Sequence, residues 1–179
     1  MKIIKKTNEL ESILLSVKDS RKSIGLVLTM GNIHKGHLSL VKKAQANNEF
    51  VLATIFINPT QFNNRSDYNS YPQTLKNDVE KLENLNCDLL YLPEVNDIYP
   101  KGLTTEKLIT KYRDILCDRF RPGHFDGVTT VVNTFFSIIK PNNSYFGEKD
   151  FQQLKIINEL VKIKNHKIKI VSCPAIRDD

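Results

Sequence analysis

Short, almost wholly apolar segments recur along this chain between stretches of helical periodicity, and that alternation limits the possible folds more than any other feature. Leu10, Ile13, Leu14 and Val17 fall at i, i+3, i+4 and i+7, one face of an amphipathic helix. Gly25–Thr29 (GLVLT) follows as a short apolar strand, and His37–Asn47 reads as a helix through Leu38, Val41 and Ala44. Phe50–Ile57 (FVLATIFI) is a near-continuous apolar run, the pattern of a strand covered on both faces. Leu75, Val79, Leu82 and Leu85 mark another helix, and Asp88–Leu92 another buried strand. Gly127–Ile139 is an apolar helix stopped by Pro141; Asn143–Phe146, Gln152–Lys164 and Ile168–Cys173 then read as strand, helix and strand. Strands spaced by helices of this length predict an α/β fold, a parallel sheet flanked by helices with right-handed crossovers. Ligands in such sheets sit beyond the carboxyl ends of the strands. The less ordinary segments collect at those ends: TMGNIHKGH after Gly25–Thr29, NPTQF after Phe50–Ile57, FGEKDFQQL after Asn143–Phe146 and CPAIRDD after the last strand.

With 179 residues, 40% of them hydrophobic, the chain can bury one sizeable core and is most simply one domain. Lys and Arg number 26 against 20 Asp and Glu, a net charge of +6 that suits a polyanion, whether nucleic acid or a small molecule such as ATP. Much of the excess lies in Met1–Lys6 and Lys155–Lys169, where lysines alternate with isoleucine and leucine, the pattern of a solvated face. A nucleic-acid module would need aromatic platforms or a clustered basic face. Here the 8% aromatic content lies mostly in apolar runs and there is no Trp, so no nucleic-acid partner is expected. Cys87, Cys117 and Cys173 show neither CxxC nor Cys/His ligand spacing, which fits thiols in a reducing compartment and assigns no metal ligands. No 7–15-residue apolar run follows the basic start and none approaches 18 residues, so a signal peptide and a membrane partner are not expected; a cytoplasmic chain is.

Thr29-Met30-Gly31-Asn32-Ile33-His34-Lys35-Gly36-His37 sits between a buried strand and a helix. Gly31 permits a sharp turn, and Gly36 leaves room for close approach of a ligand at the helix start. A helix N-terminus offers unpaired N–H groups and positive partial charge, a ready anion site. His34 and His37 would add imidazole donors for phosphates and for charge developing on a leaving pyrophosphate. A single histidine there would read as a polar first turn. Two histidines with two glycines in a strand–helix context favour a ligand. The sequence has no Walker A loop and no GxGxxG; HxGH after TMG resembles the HIGH signature of nucleotidyltransferases with a Rossmann-like fold, which implies chemistry at the α-phosphate of ATP.

With that turn in hand, IFINPTQF, RPGHFDGVTTVV and FGEKDFQQL complete a resemblance, in order and spacing, to the pantothenate synthetase family across nearly all 179 residues. The resemblance implies a Rossmann-like domain over 1–179 that binds ATP and pantoate, joining pantoate to β-alanine through a pantoyl adenylate, with Mg²⁺ on the ATP. Met30, Gly31, Asn32, Ile33, His34, Lys35, Gly36 and His37 would line the ATP site, with His37, His34 and Lys149 catalytic. Gly147, Glu148, Lys149 and Asp150 would contact ATP, and Ile176 would touch adenine through its backbone. Gln61 would bind pantoate and face β-alanine, Gln153 would bind pantoate from the opposite side, and Arg121 would lie near its carboxylate.

Alone, these residues have plainer readings. Gln61 and Gln153 read as solvated amides, GEKD as a charged turn with Asp150 an N-cap, Arg121–His124 as a turn, and Asp78 as a helix-start residue instead of an aid to Mg²⁺. Leu28 departs from the family's usual Pro before TMG and is expected to alter the rigidity of the turn. The resemblance further implies an SSRN-type block and a small C-terminal lid domain, neither of which is in this sequence, so weak or no turnover is expected. It also implies a homodimer. A nucleotidyltransferase that releases pyrophosphate and stops is the rival enzyme reading; NPTQF and FGEKDFQQ count against it.

Overall fold

The computed structural model describes residues 1–177; Asp178 and Asp179, the end of the CPAIRDD block, lie outside the described residues. Six strands, β1 (Lys2–Ile4), β2 (Ile24–Thr29), β3 (Phe50–Ile55), β4 (Leu89–Tyr91), β5 (Asn143–Gly147) and β6 (Lys169–Cys173), form one sheet in the order β1-β4-β3-β2-β5-β6. Every pairing is parallel. From β2 the chain winds outward through β3 and β4 on one side and later through β5 and β6 on the other. The β2/β5 junction is therefore the point where the winding reverses, and the carboxyl ends of these strands open a crevice there. β2 and β5 pair only at Gly25↔Asn143 and Leu26↔Ser144, whereas β2 and β3 stay in register from Ile24↔Phe50 to Thr29↔Ile55.

The helices are α1 (Thr7–Asp19), α2 (Lys35–Gln45), α3 (Arg65–Asn69), α4 (Leu75–Asn84), α5 (Val95–Ile98), α6 (Leu116–Phe120), α7 (His124–Ile139) and α8 (Phe151–Ile163). Strand side chains alternate between the two faces, and each face buries its own core. Leu26, Leu52, Leu89 and Tyr91 pack with α1, α7 and α8, through residues such as Leu10, Leu14, Phe135, Phe136, Ile157 and Leu160. Val27, Val51, Ala53 and Leu90 pack with α2 and α4, through Val41, Ala44 and Leu82. A sheet covered on both faces needs near-continuous apolar strands, the pattern that β2 and β3 carry in the sequence.

The structure departs from the sequence reading at several elements, three of which are instructive. α2 begins two residues earlier than His37, because the His34 side chain accepts a hydrogen bond from the Gly36 N–H and caps the helix. α7 begins at His124, not Gly127, after Gly123 turns the chain at φ 80°; it ends at Ile139, capped by Lys140 in the left-handed region at φ 49°, just before Pro141. β1 escaped the sequence reading because three residues are too few to show a period; Lys2, Ile3 and Ile4 pair with Leu89, Leu90 and Tyr91.

Candidate functional site

The turn that follows β2 is built around one carboxylate. Asp78, 1% exposed on α4, accepts the Ile33 N–H at 2.7 Å and the Asn32 N–H at 3.0 Å, and the Thr74 hydroxyl at 2.9 Å. The sequence left Asp78 open between a helix-start role and one near a metal; the structure commits both its oxygens to the turn. Gly31 stands at φ +81°, and a Cβ there would lie 3.2 Å from both Asp78 Oδ2 and Ile55 Cγ2. Asn32 follows at φ 50°. The Ile33 side chain is 1% exposed and packs in the core under α2.

Gly36 has a use within the protein that its sequence did not suggest. A Cβ on it would meet the His34 ring at 2.9 and 3.0 Å, so the missing side chain makes room for the capping imidazole. With Nδ1 accepting from Gly36, His34 in its neutral form carries its proton on Nε2. The His37 ring lies 4.1 Å from that of His34, centroid to centroid. His37 Nδ1 is buried without a hydrogen-bond partner. Burial first, then the neighbouring His34 and Lys149, holds the His37 pKa down to about 4 against the smaller opposing pull of Asp78 and Asp150. In the free protein His37 is thus a neutral imidazole at pH 7, with an unsatisfied nitrogen at the head of a helix.

Beside it lies a cleft of about 210 Å³. Leu28, Leu40, Phe56, Val128, Val131, Val132 and Phe135 supply apolar walls, and Thr29, Met30, His37, Asn58, Gln61, Tyr71, Gly147, Asp150 and Gln153 supply the remaining rim. Leu28 belongs to β2, and its side chain forms part of the cleft wall. Gln61 ends a 3₁₀ turn (Pro59–Gln61) after β3; Gln153 stands in the first turn of α8 after β5. Because β3 and β5 flank β2, the two amides approach the cleft from opposite sides.

The Gln61 amide is held in place. Its Oε1 accepts from Asn58 Nδ2 at 3.1 Å and its Nε2 lies 3.1 Å from Met30 Sδ. Asn58, 1% exposed, also accepts from the Tyr99 hydroxyl at 2.6 Å and the Thr60 hydroxyl at 3.0 Å. Asn58, Tyr99 and His124 were missed by sequence reasoning. The signals were that Asn58 heads the NPTQF block and that His124 lies in RPGHFDGVTTVV; Tyr99 is distant in sequence and reaches the site through the fold. In FQQ, Gln152 is the structural glutamine: it accepts from Cys117 N–H at 3.0 Å and donates to the carbonyls of Tyr112 and Ile115 at 2.8 and 2.9 Å.

The other sequence candidates divide. Asp150 stands at the N-cap position of α8 but makes no capping bond; it lines the cleft and pairs loosely with Lys149 at 3.8 Å. Lys149 is exposed, yet close enough for its charge to act on His37. Lys35, Glu148, Arg121 and Ile176 are exposed and outside the cleft lining. Arg121 acts electrostatically on His124, whose Nδ1 lies 2.9 Å from the Gln61 carbonyl.

A doubly wound parallel domain with an HxGH turn at its switch point defines the nucleotidyltransferase-like class of α/β folds. Within it, the pantoate-beta-alanine ligase family profile matches residues 2–179. The chain belongs to that family. It is 44% identical over 178 residues to the pantothenate synthetase of Thermodesulfovibrio yellowstonii, covering 99% of this chain and 64% of that protein. To the pantothenate synthetase of Phocaeicola vulgatus it is 45% identical over 180 residues, covering all of this chain and 64% of that one. The chain thus spans just under two thirds of the length of these relatives. Its structure superposes on the pantoate-beta-alanine ligase of Francisella tularensis, crystallised with beta-gamma ATP and beta-alanine, with a TM-score of 0.95 at 44% identity, covering 99% of this chain and 68% of that one. The pantothenate synthetase of Thermus thermophilus superposes with a TM-score of 0.91 at 37% identity, covering 99% and 63%.

Proposed function

We propose that this chain supplies the ATP and pantoate sites of a pantoate–β-alanine ligase that works through a pantoyl adenylate. The observation that carries the reading is the cleft at the β2/β5 switch point, where Gln61 and Gln153 converge from opposite sides beside the unpartnered Nδ1 of His37. Pantoate is a small branched hydroxy acid. Its dimethyl carbon suits the valines of α7, and its hydroxyls and carboxylate suit the two amides. ATP lies along the Met30–His37 turn and the Gly147–Asp150 segment, with its phosphates at the N-terminus of α2 and its adenine toward the backbone at Ile176.

The pantoate carboxylate attacks the α-phosphorus and pyrophosphate leaves; the β-alanine amine, brought in beside Gln61, then attacks the acyl carbon and AMP leaves. His34 Nε2–H and the His37 imidazole donate to phosphate oxygens as negative charge moves onto the pyrophosphate, and Lys149 adds positive charge. The cleft walls hold the carboxylate in line with phosphorus and keep water from the mixed anhydride. Mg²⁺ bound to the triphosphate would neutralise part of its charge, and Asp150 is the carboxylate in the cleft lining that would face it; no group of three ligating side chains gathers among the described residues. Among the described residues no helix is long and apolar enough to cross a membrane. A cytoplasmic homodimer is part of the proposal.

Calorimetric titration of pantoate in the presence of Mg²⁺ and a non-hydrolysable ATP analogue tests it, with Gln61→Ala alongside. Saturable binding that Gln61→Ala abolishes is the expected result. A folded wild-type protein that binds neither pantoate nor the analogue overturns the reading.

A further inference from the structure

The Gln61 turn owes its position to the first turn of α7, and specifically to one side chain and one missing side chain. His124 is 7% exposed, and its Nδ1 lies 2.9 Å from the Gln61 carbonyl oxygen, to which it donates. One helical turn on, a Cβ at Gly127 would stand 2.5 Å from the Thr60 oxygen, 2.7 Å from the Thr60 carbonyl carbon and 2.8 Å from the Gln61 nitrogen. All three are backbone atoms, so no side chain can swing aside to admit it. The Gly127 carbonyl in turn accepts from Asn58 Nδ2 at 3.2 Å, the same amide group that holds Gln61 Oε1. The start of α7 is itself anchored from outside the cleft. Arg113 donates to Asp126 at 2.6 Å and to Asp118 at 2.9 Å, and both carboxylates are largely buried.

We infer that His124 and Gly127 are positioning residues for the acid site: they set the height of the Gln61 amide above the cleft without touching what binds there. This rests on the pantoate reading of the cleft. The alternative, that they merely stabilise α7, differs in one respect. A stabilising role changes melting temperature and leaves ligand discrimination alone, whereas a positioning role weakens acid binding while the phosphate end of the site stays intact. His34, His37 and the Asp78-bound pair Asn32 and Ile33 make no hydrogen bond to the clamp, which meets this turn at Met30 Sδ through Gln61 Nε2, so they supply the internal control.

The experiment compares wild type with Gly127→Ala, His124→Leu and His124→Asn. Three readouts are taken: pantoate affinity with Mg²⁺ and the ATP analogue present, affinity for pyrophosphate alone, and the side-chain amide resonance of Gln61 without ligand. Displacement of a binding group by about an ångström is expected to weaken pantoate binding by roughly 10- to 100-fold in Gly127→Ala, with pyrophosphate affinity within about twofold of wild type. His124→Leu is expected to behave similarly. His124→Asn, which returns an N–H donor near the Nδ1 position, is expected to recover most of the loss. The Gln61 resonance is expected to move in the first two variants and return in the third. Pantoate affinity and a Gln61 resonance like wild type in a folded Gly127→Ala or His124→Leu protein would overturn the inference. If wild type binds no pantoate, the functional reading falls, and the Gln61 resonance still decides whether the clamp exists. If Gly127→Ala does not fold, the His124 pair decides it.

Discussion

Filling the anion site with pyrophosphate should draw a proton into the protein. In the free protein burial and neighbouring positive charge hold the His37 pKa at about 4, against an ordinary 6.5. At about 1.4 kcal/mol per tenfold change in proton affinity, that displacement is worth roughly 3 kcal/mol, or about 2 after allowance for partial solvent access. A polyphosphate at the N-terminus of α2 opposes the cause directly, by placing negative charge beside the ring. The pKa should therefore rise on binding. Between the free and the bound value the complex holds a proton that the free protein does not, so affinity should strengthen as pH falls from 7 toward 5 and level off above the bound pKa. Calorimetry at pH 5.5 in buffers of differing ionisation enthalpy should report uptake approaching about one proton, absent in His37→Gln. In the unliganded protein the linkage runs through folding: the unfolded chain binds the extra proton between pH 6.5 and 4, so stability rises with pH across that window and is flat above it. A free-protein His37 that titrates near 6.5 by NMR, or pyrophosphate binding with no proton uptake at pH 5.5, would refute the reasoning.

The two adjacent glutamines of FQQ should separate cleanly. Gln152→Ala removes three hydrogen bonds to the 112–117 loop and should cost about 2–3 kcal/mol in chemical denaturation, while Gln153→Ala leaves stability within about 0.5 kcal/mol and weakens pantoate binding. Asp78→Asn leaves a backbone N–H of the Asn32–Ile33 turn facing an amide donor. A loss of about 2–3 kcal/mol and weaker pyrophosphate binding should follow; unchanged values for both would contradict the turn-pinning role. Gly31→Ala forces a Cβ onto a residue at φ +81° and should cost about 1–2 kcal/mol, a fall of several degrees in melting temperature by calorimetry.

Strand and helix periodicity carried the architecture because a doubly covered parallel sheet leaves a strong apolar signature, visible in β2 and β3. The short elements β1, α3, α5 and α6 show no apolar period in the sequence and are fixed by tertiary packing. At the site, the HxGH turn was legible because glycines and histidines at a strand–helix junction have few other uses. The reason for Gly36 was not, since its constraint comes from the His34 ring folding back on it. Asn58, Tyr99, His124 and Gly127 form the support for Gln61 across residues 58 to 127; His124 and Gly127 share the RPGHFDG block, but nothing local in the sequence joins that block to Asn58 or Tyr99. Arg121 shows the reverse case: a residue in a recognisable block that the structure leaves on the surface, acting on His124 from outside the cleft.

The central claim is that the β2/β5 cleft holds the branched acid. It is tested most directly by intermolecular NOEs between the methyl groups of pantoate and the methyl-labelled protein, with Mg²⁺ and the ATP analogue present. Contacts to Leu28, Val128, Val131 and Val132, lost in Gln61→Ala, are the expected result. Contacts confined to methyl groups elsewhere on the protein, under conditions where pantoate binds, would contradict the account.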